Sequence, residues 1–273
     1  MRAFLSQGWA LTLRHKYVLV VLFLYRLLWG YFLYRFVDSI VSPVLARYPD
    51  DHPNPYAVRL FFVEAQFRLF KTDVSYEPLA LLGGMFLLRM IATPLINAGL
   101  FYSFRHSEDG RGTSVLKGIR RSWKGVTALY WAESALTLAP LAWLVPFAYS
   151  CYIKEPNMTV WLRDLLPVAL CWFAWGFAVH LLFQFMQFSS ATGGPILQGL
   201  LRACKQAIPL LLVSLSLIGA GLLASAVVTT AALLWTGFAA IALHQAFQFV
   251  RSLLSLWISA SQFEVWRPDS QAP

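Results

Sequence analysis

The chain has 273 residues, of which 58% are hydrophobic and only 13% charged, and its 22 Lys and Arg outweigh 13 Asp and Glu to give a net charge of +9. Soluble domains carry roughly 25% charged residues, so a water-soluble globular protein is not the expected class. The basic excess does not point to nucleic acid either. Its residues lie in short connections beside apolar runs, where they meet anionic headgroups and set topology, and no basic-aromatic groove or nucleic-acid motif accompanies them.

In chain order, Arg2, Arg14 and Lys16 precede a first apolar run, Tyr17–Val41. The run is too long for a cleavable leader and has no small-residue cleavage site, so it is expected to remain as a signal anchor. The connection 42–77 is the longest and opens with a Pro/Asp-rich turn, Tyr48–Pro55. A helix is expected at Ala57–Phe70, with Glu64, Arg68 and Lys71 as a polar stripe among Leu60, Phe61, Phe62, Phe67, Leu69 and Phe70. This reads as an interfacial helix on the outer leaflet; a lid over a central cavity is the alternative.

Further spans are expected at Pro78–Tyr102, Val126–Ser150 and Leu165–Phe188. From Gln206 to Val250 the chain has 45 residues without Lys, Arg, Asp or Glu. One crossing needs about 20 apolar residues, so this run makes two, Ala207–Val228 and Ala231–Arg251, with a turn near Thr229-Thr230 or Thr236-Gly237. The last helix is expected to continue beyond Arg251 with Ser252, Ser255, Ser259 and Gln262 on one face, and the tail 267–273 to be disordered. The result is an all-α, single integral membrane domain over 1–273, with six spans arranged as three hairpins. Cys151, Cys171 and Cys204 fall at different depths on this map, so neither a disulfide nor a Cys-based metal site is expected.

Orientation follows the basic residues. Twelve Lys and Arg fall in the connections on the side of both termini, against six on the other. The termini are therefore expected to be cytoplasmic and the protein to lie in the cytoplasmic membrane.

A weak internal repeat organises the same side. Val115-Leu-Lys-Gly-Ile-Arg-Arg-Ser-Trp-Lys124 and Ile196-Leu-Gln-Gly-Leu-Leu-Arg-Ala-Cys-Lys205 each run into a span, offset by 81 residues. Gly118 matches Gly199, Arg121 matches Arg202 and Lys124 matches Lys205. Gly8, with Arg14 six residues later, marks a third copy. Val115, Leu116, Ile119 and Trp123 share one helical face and Lys117, Arg120, Arg121 and Lys124 the other. Each copy thus reads as a short amphipathic helix on the cytoplasmic surface, a bend, and a hairpin. Lys117, Arg120, Arg121, Lys124, Arg202 and Lys205 are the expected contacts for anionic headgroups. Convergence is the competing reading, since any inner-leaflet junction favours basic residues and a glycine.

The Gly-x5-Lys pattern, the run Pro209-Leu-Leu-Leu212, a small-residue-rich span and a long final helix resemble a loose group of bacterial six-helix membrane families. These include the membrane domain attached to some glycerophosphodiester phosphodiesterases. The resemblance implies the six-helix architecture but no catalytic residues, and hydrolase activity is not expected to carry over, because no connection is long enough to hold the soluble domain.

Inside the spans, polar groups are costly and mark candidate sites. At the rise of a helix, Arg26 lies about 15 Å from the nearest cytoplasmic-side marker, Glu133 about 14 Å, His180 about 14 Å and Asn97 about 12 Å. They form one expected polar layer, with Arg26 the best-matched partner of Glu133. It reads either as a structural ion pair with hydrogen bonds or as a hydrated proton or substrate site. No phosphate loop, His-x-x-x-His, Gly-x-Ser-x-Gly or Cys-x-x-Cys is present, and no cofactor or metal is expected. The expected role is a non-enzymatic, membrane-embedded accessory or scaffold that engages anionic lipid or a partner membrane protein. A small permease or lipid transporter working through the polar layer is the alternative.

Overall fold

The computed structural model describes residues 2–45, 56, 60–61, 63, 76–106, 113–154, 158–234 and 238–267, and these are all-helical, with no strand among them. In chain order the helices are α1 (Arg2–Arg14), α2 (Lys16–Leu45), α3 (Tyr76–Arg105), α4 (Thr113–Leu138) and α5 (Leu141–Lys154). They are followed by α6 (Met158–Ala191), α7 (Ile196–Lys205), α8 (Ala207–Leu234) and α9 (Phe238–Trp266). Of the expected interfacial helix at 57–70, only Leu60, Phe61 and Val63 are described, and these are helical; the rest of it and the tail beyond Arg267 lie outside the described residues.

Five stretches are long and apolar enough to cross a membrane: Lys16–Ser39, Ala80–Arg105, Ser114–Cys151, Arg163–Ala191 and Ala207–Ala232. Their large side chains are mostly bare, as with Leu222, Leu223 and Val227 on α8. Apolar helices of this length with uncovered faces are compatible with a membrane location. Helix α9 is not in this set. Its C-terminal half mixes polar and apolar positions and buries Ser252, Ser261 and Gln262 beside Leu256, Phe263 and Val265.

Local chemistry explains where the helices stop, and three places differ from expectation. First, Thr229-Thr230 lies inside α8, where Thr230 Oγ1 donates to the Ala226 carbonyl at 2.9 Å. The helix runs on to Leu234, because nothing at the two threonines breaks the ladder, and the alternative turn at 236–237 lies outside the described residues. Second, the span expected at Val126–Ser150 is split between α4 and α5 at Ala139-Pro140. Pro140 has no N–H for the Leu136 carbonyl. Trp175 Nε1 supplies that donor at 3.2 Å, and Trp172 Nε1 caps the neighbouring Thr137 carbonyl at 2.9 Å. Third, α4 runs unbroken through Lys124-Gly125, where a bend was expected.

The other two expected bends are present. Between α1 and α2, His15 closes the end of α1: its N–H reaches the Thr12 carbonyl, and its ring Nδ1 lies 2.8 Å from the Leu11 carbonyl. Nε2 of the same ring lies 3.1 Å from the Ser103 carbonyl on α3. Between α7 and α8, the Gln206 N–H caps the Arg202 carbonyl at 2.9 Å.

The chain divides into two compact units, one of Met1–Leu19 with Thr93–Pro273 and one of Val20–Ala92. In the larger unit the core gathers at one end of the long helices. Phe104 of α3, Phe188 of α6 and Phe263 of α9 form its centre, with centroids 5.5 Å apart for Phe104–Phe263 and 5.4 Å for Phe188–Phe263. Phe101 stands edge-on to Phe188 at 4.6 Å, and Trp266 closes on Phe263 at 5.3 Å. Such offset and edge-on pairs add to area burial.

Around this core, a glycine seats each short or leading helix against the end of a long one. A Cβ on Gly8 would lie 2.7 Å from Ser261 Cα of α9, one on Gly118 2.9 Å from Tyr102 Cγ of α3, and one on Gly199 2.6 Å from the Phe185 carbonyl of α6. In the smaller unit α2 leaves Leu24, Tyr31, Leu33 and Tyr34 exposed, and Tyr25 stands edge-on to Trp29 at 5.9 Å.

Candidate functional site

Helices α4 and α6 run antiparallel, which brings Glu133 opposite the stretch from His180 to Gln187. His180 Nδ1 lies 2.6 Å from Glu133 Oε1, and Gln187 Nε2 donates to Oε2 at 2.8 Å. Both carboxylate oxygens therefore have a partner on one neighbouring helix. Glu133 is buried, whereas the His180 side chain is 55% exposed. The imidazole thus covers the acid from the open side. A carboxylate that orients an imidazole is a chemically versatile pair, able to hold or pass a proton, and in a spanning segment it also offsets the cost of a lone acid.

Of the other expected layer residues, Asn97 is half-buried on α3 and makes no hydrogen bond to this pair among the described residues. Arg26 is half-buried on α2 and belongs to the smaller unit. Gln187 was not expected, and neither was buried Gln184. Both share the helical face of His180 at i+4 and i+7, and that spacing is the signal that finds them.

The basic residues form a second candidate site. Lys117, Arg120, Arg121, Lys124 and Lys205 are exposed. The start of α4 has three faces rather than the two read from the sequence. Its packing face is the small one, with Ser114, Gly118, Ser122 and Val126 buried. The expected apolar face is divided: Val115 and Ile119 are half-buried beside Gly99 of α3, whereas Leu116 and Trp123 are exposed next to the basic residues, and Lys124 Nζ lies 5.8 Å over the Trp123 ring. Helix α7 repeats the arrangement, burying Gly199 and Ala203 and exposing Ile196, Leu197 and Leu201 beside Lys205. Arg202 differs from the rest: it is half-buried, with its guanidinium carbon 5.4 Å over the Trp266 ring.

No protein-family model, curated protein or solved structure matches this chain.

Proposed function

We propose that the chain is a non-enzymatic, multi-pass protein of the bacterial cytoplasmic membrane that serves as an embedded accessory or scaffold, engaging anionic lipid or a partner membrane protein. The observation that carries this reading is the three-faced helix. On α4 and α7 large apolar side chains stay uncovered directly beside lysines and arginines, while the small face is buried. Helices of that design lie at a headgroup boundary, apolar arc in the acyl region and cations among phosphates.

On this reading there are six spans in three hairpins, α9 supplying the sixth, and both termini are cytoplasmic. The three copies are one duplicated unit, supported by the seats of Gly8, Gly118 and Gly199. Further support comes from matched polar pairs. Gln187 reaches Glu133, and Gln262 Nε2 reaches Ser214 Oγ at 2.9 Å; Ser214 stands 81 residues after Glu133 and Gln262 stands 75 after Gln187. The likeness to six-helix bacterial membrane families stays part of the proposal through architecture alone.

Native mass spectrometry of gently purified protein tests the reading. Anionic lipid or a subunit should co-purify, and exchanging Lys117, Arg120, Arg121 and Lys124 for Gln should reduce lipid retention. External cysteine labelling should modify a probe at Asn54 and spare one at Asp109; the reverse pattern sinks the topology. A small permease is the second reading, favoured by the exposed His180 beside Glu133. Proton-coupled uptake into proteoliposomes that is lost in Glu133→Gln would establish it in place of the scaffold.

A further inference from the structure

A pocket of about 180 Å3 opens where the C-terminal ends of α3, α6 and α9 meet α7. Three arginines line it, Arg105, Arg202 and Arg267, together with Ser189, Thr192 and Gln198. The chain has to bend to build it. The α6–α7 turn places Gly193 at φ 79, a left-handed conformation suited to glycine, and the Gly194 N–H caps the Ser189 carbonyl at 2.9 Å.

Each arginine is held by a different described contact. Arg105 Nη1 donates to the Thr192 carbonyl at 2.6 Å. Arg202 lies over Trp266. Arg267 Nη1 lies 3.6 Å from Glu264 Oε2. One such contact uses only part of a guanidinium's donor fork, and the fork geometry matches phosphate oxygens in pairs. Among the described residues, Glu264 is the single carboxylate paired with any of the three. Burial pushes its carboxyl above the usual range, partly opposed by Arg267, which weakens it further as a counter-charge. Cations gathered on one small wall repel one another unless an anion neutralises them. The volume is below the roughly 300–1,000 Å3 of drug-sized sites, so it suits one compact oxyanion.

We propose that Arg105, Arg202 and Arg267 form a binding site for a single phosphate group, carried either by an anionic lipid headgroup or by a free phosphate or phosphate ester. The lipid source rests on the membrane reading above; the phosphate chemistry does not. All three arginines belong to the connections expected on the cytoplasmic side, and the pocket adjoins the uncovered apolar arc of α7. That places it at the depth where a lipid phosphate would sit.

Full-length protein in zwitterionic detergent, and in nanodiscs, provides the test. One arm measures the thermal midpoint with inorganic phosphate against chloride at equal ionic strength. The other measures retention of phosphatidylglycerol against phosphatidylcholine by native mass spectrometry. The wild type should respond to phosphate in the first arm if the source is soluble, or retain phosphatidylglycerol in the second if it is lipid. Arg202→Gln or Arg105→Gln should weaken that response about tenfold or more, and Arg163→Gln, at an exposed arginine outside both candidate sites, should leave it within about twofold. Equal losses in pocket and surface variants would reduce the site to diffuse attraction and overturn it, as would a wild type indifferent to both ligands. If Arg202→Gln fails to fold, Arg267→Gln, on a side chain 42% exposed, and Gln198→Leu carry the same comparison. Inverted cysteine labelling with intact inorganic-phosphate binding would overturn the cytoplasmic placement of the termini and keep the pocket.

Discussion

Two stretches of the larger unit, from Thr113 to Ala191 and from Ile196 to Trp266, share several corresponding contacts and take different backbone courses. Both begin with a basic helix seated by a glycine, Gly118 or Gly199. Both end with Gln-Phe on a long helix, at 187–188 and 262–263, the phenylalanine entering the shared core and the amide reaching back to a polar partner. Yet α4 runs straight through Gly125, whereas the helix stops at the matching Gln206.

The difference lies three residues on, where Ala128 in the first stretch answers to Pro209 in the second. A continuous helix through Pro209 would leave the Lys205 carbonyl without its donor and drive the ring into it. Restarting at Ala207 puts Pro209 in a first turn, where no N–H bond is expected. Small side chains and amides therefore set the contacts, and one proline sets the course of the chain. Charge is the second difference. Glu133 and His180 of the first stretch are answered by Ser214 and Ser255 in the second, so acid–imidazole chemistry is confined to one of them.

The largest test exchanges the two courses. Ala128→Pro should cost about 3 kcal/mol or more, seen as a lost or strongly lowered thermal transition in detergent, while Pro209→Ala should cost under about 1 kcal/mol. Equal tolerance of both would separate the break from the proline. Next, Gly118→Leu and Gly199→Leu should each cost about 1–3 kcal/mol by overpacking. Gly219→Leu, at a position with open space around it, should be near neutral. If only one of the two seats is sensitive, the stretches do not share that contact.

A smaller effect compares the polar pairs. Glu133→Leu should cost about 1–3 kcal/mol because it strands the Gln187 amide. Ser214→Ala should cost about 1 kcal/mol, and adding Gln187→Leu to Glu133→Leu should recover part of the loss. Strict additivity would show that the pair is not a unit.

The smallest concerns Glu264, whose counterpart is Ser189. Burial raises its carboxyl pKa in the folded state, so the folded state binds more protons than the unfolded one between the two values. Stability should therefore fall slightly as pH rises through that window. Glu264→Gln should flatten the dependence in thermal scans, and an unchanged profile would assign the pH response elsewhere.

Much of this comparison is legible in the sequence. Apolar length marks five candidate spans, one of them running over both α4 and α5, and the shared Gly-x5-Lys spacing marks where α4 and α7 begin to seat. Glu133 and His180 stand at one depth by helix rise, and their side chains meet at 2.6 Å. Gln187 is harder to read because an uncharged amide barely interrupts an apolar run. The buried face of α4 is missed for a related reason. Ser114, Gly118 and Ser122 carry little hydrophobic signal, yet close helix approach selects them, while the uncovered Leu116 and Trp123 imitate a core. The pocket arginines lie in three separate junctions, and only the folded arrangement of α3, α7 and α9 brings them together.

The seat of α1 has a further consequence for biosynthesis. Its partner is α9: Trp257 Nε1 donates to the Leu5 carbonyl across 252 residues of chain, and Trp9 stands edge-on to Trp257 at 4.9 Å. A ribosome therefore releases α1 long before the surface that will hold it exists. Until α9 is made, Gly8 has no Ser261 and Trp9 no Trp257 to pack against, and a nascent chain stalled short of α9 acquires neither contact. Closure of this contact therefore separates chains that have reached α9 from those that have not, and it is a long-range step that local helix formation cannot replace.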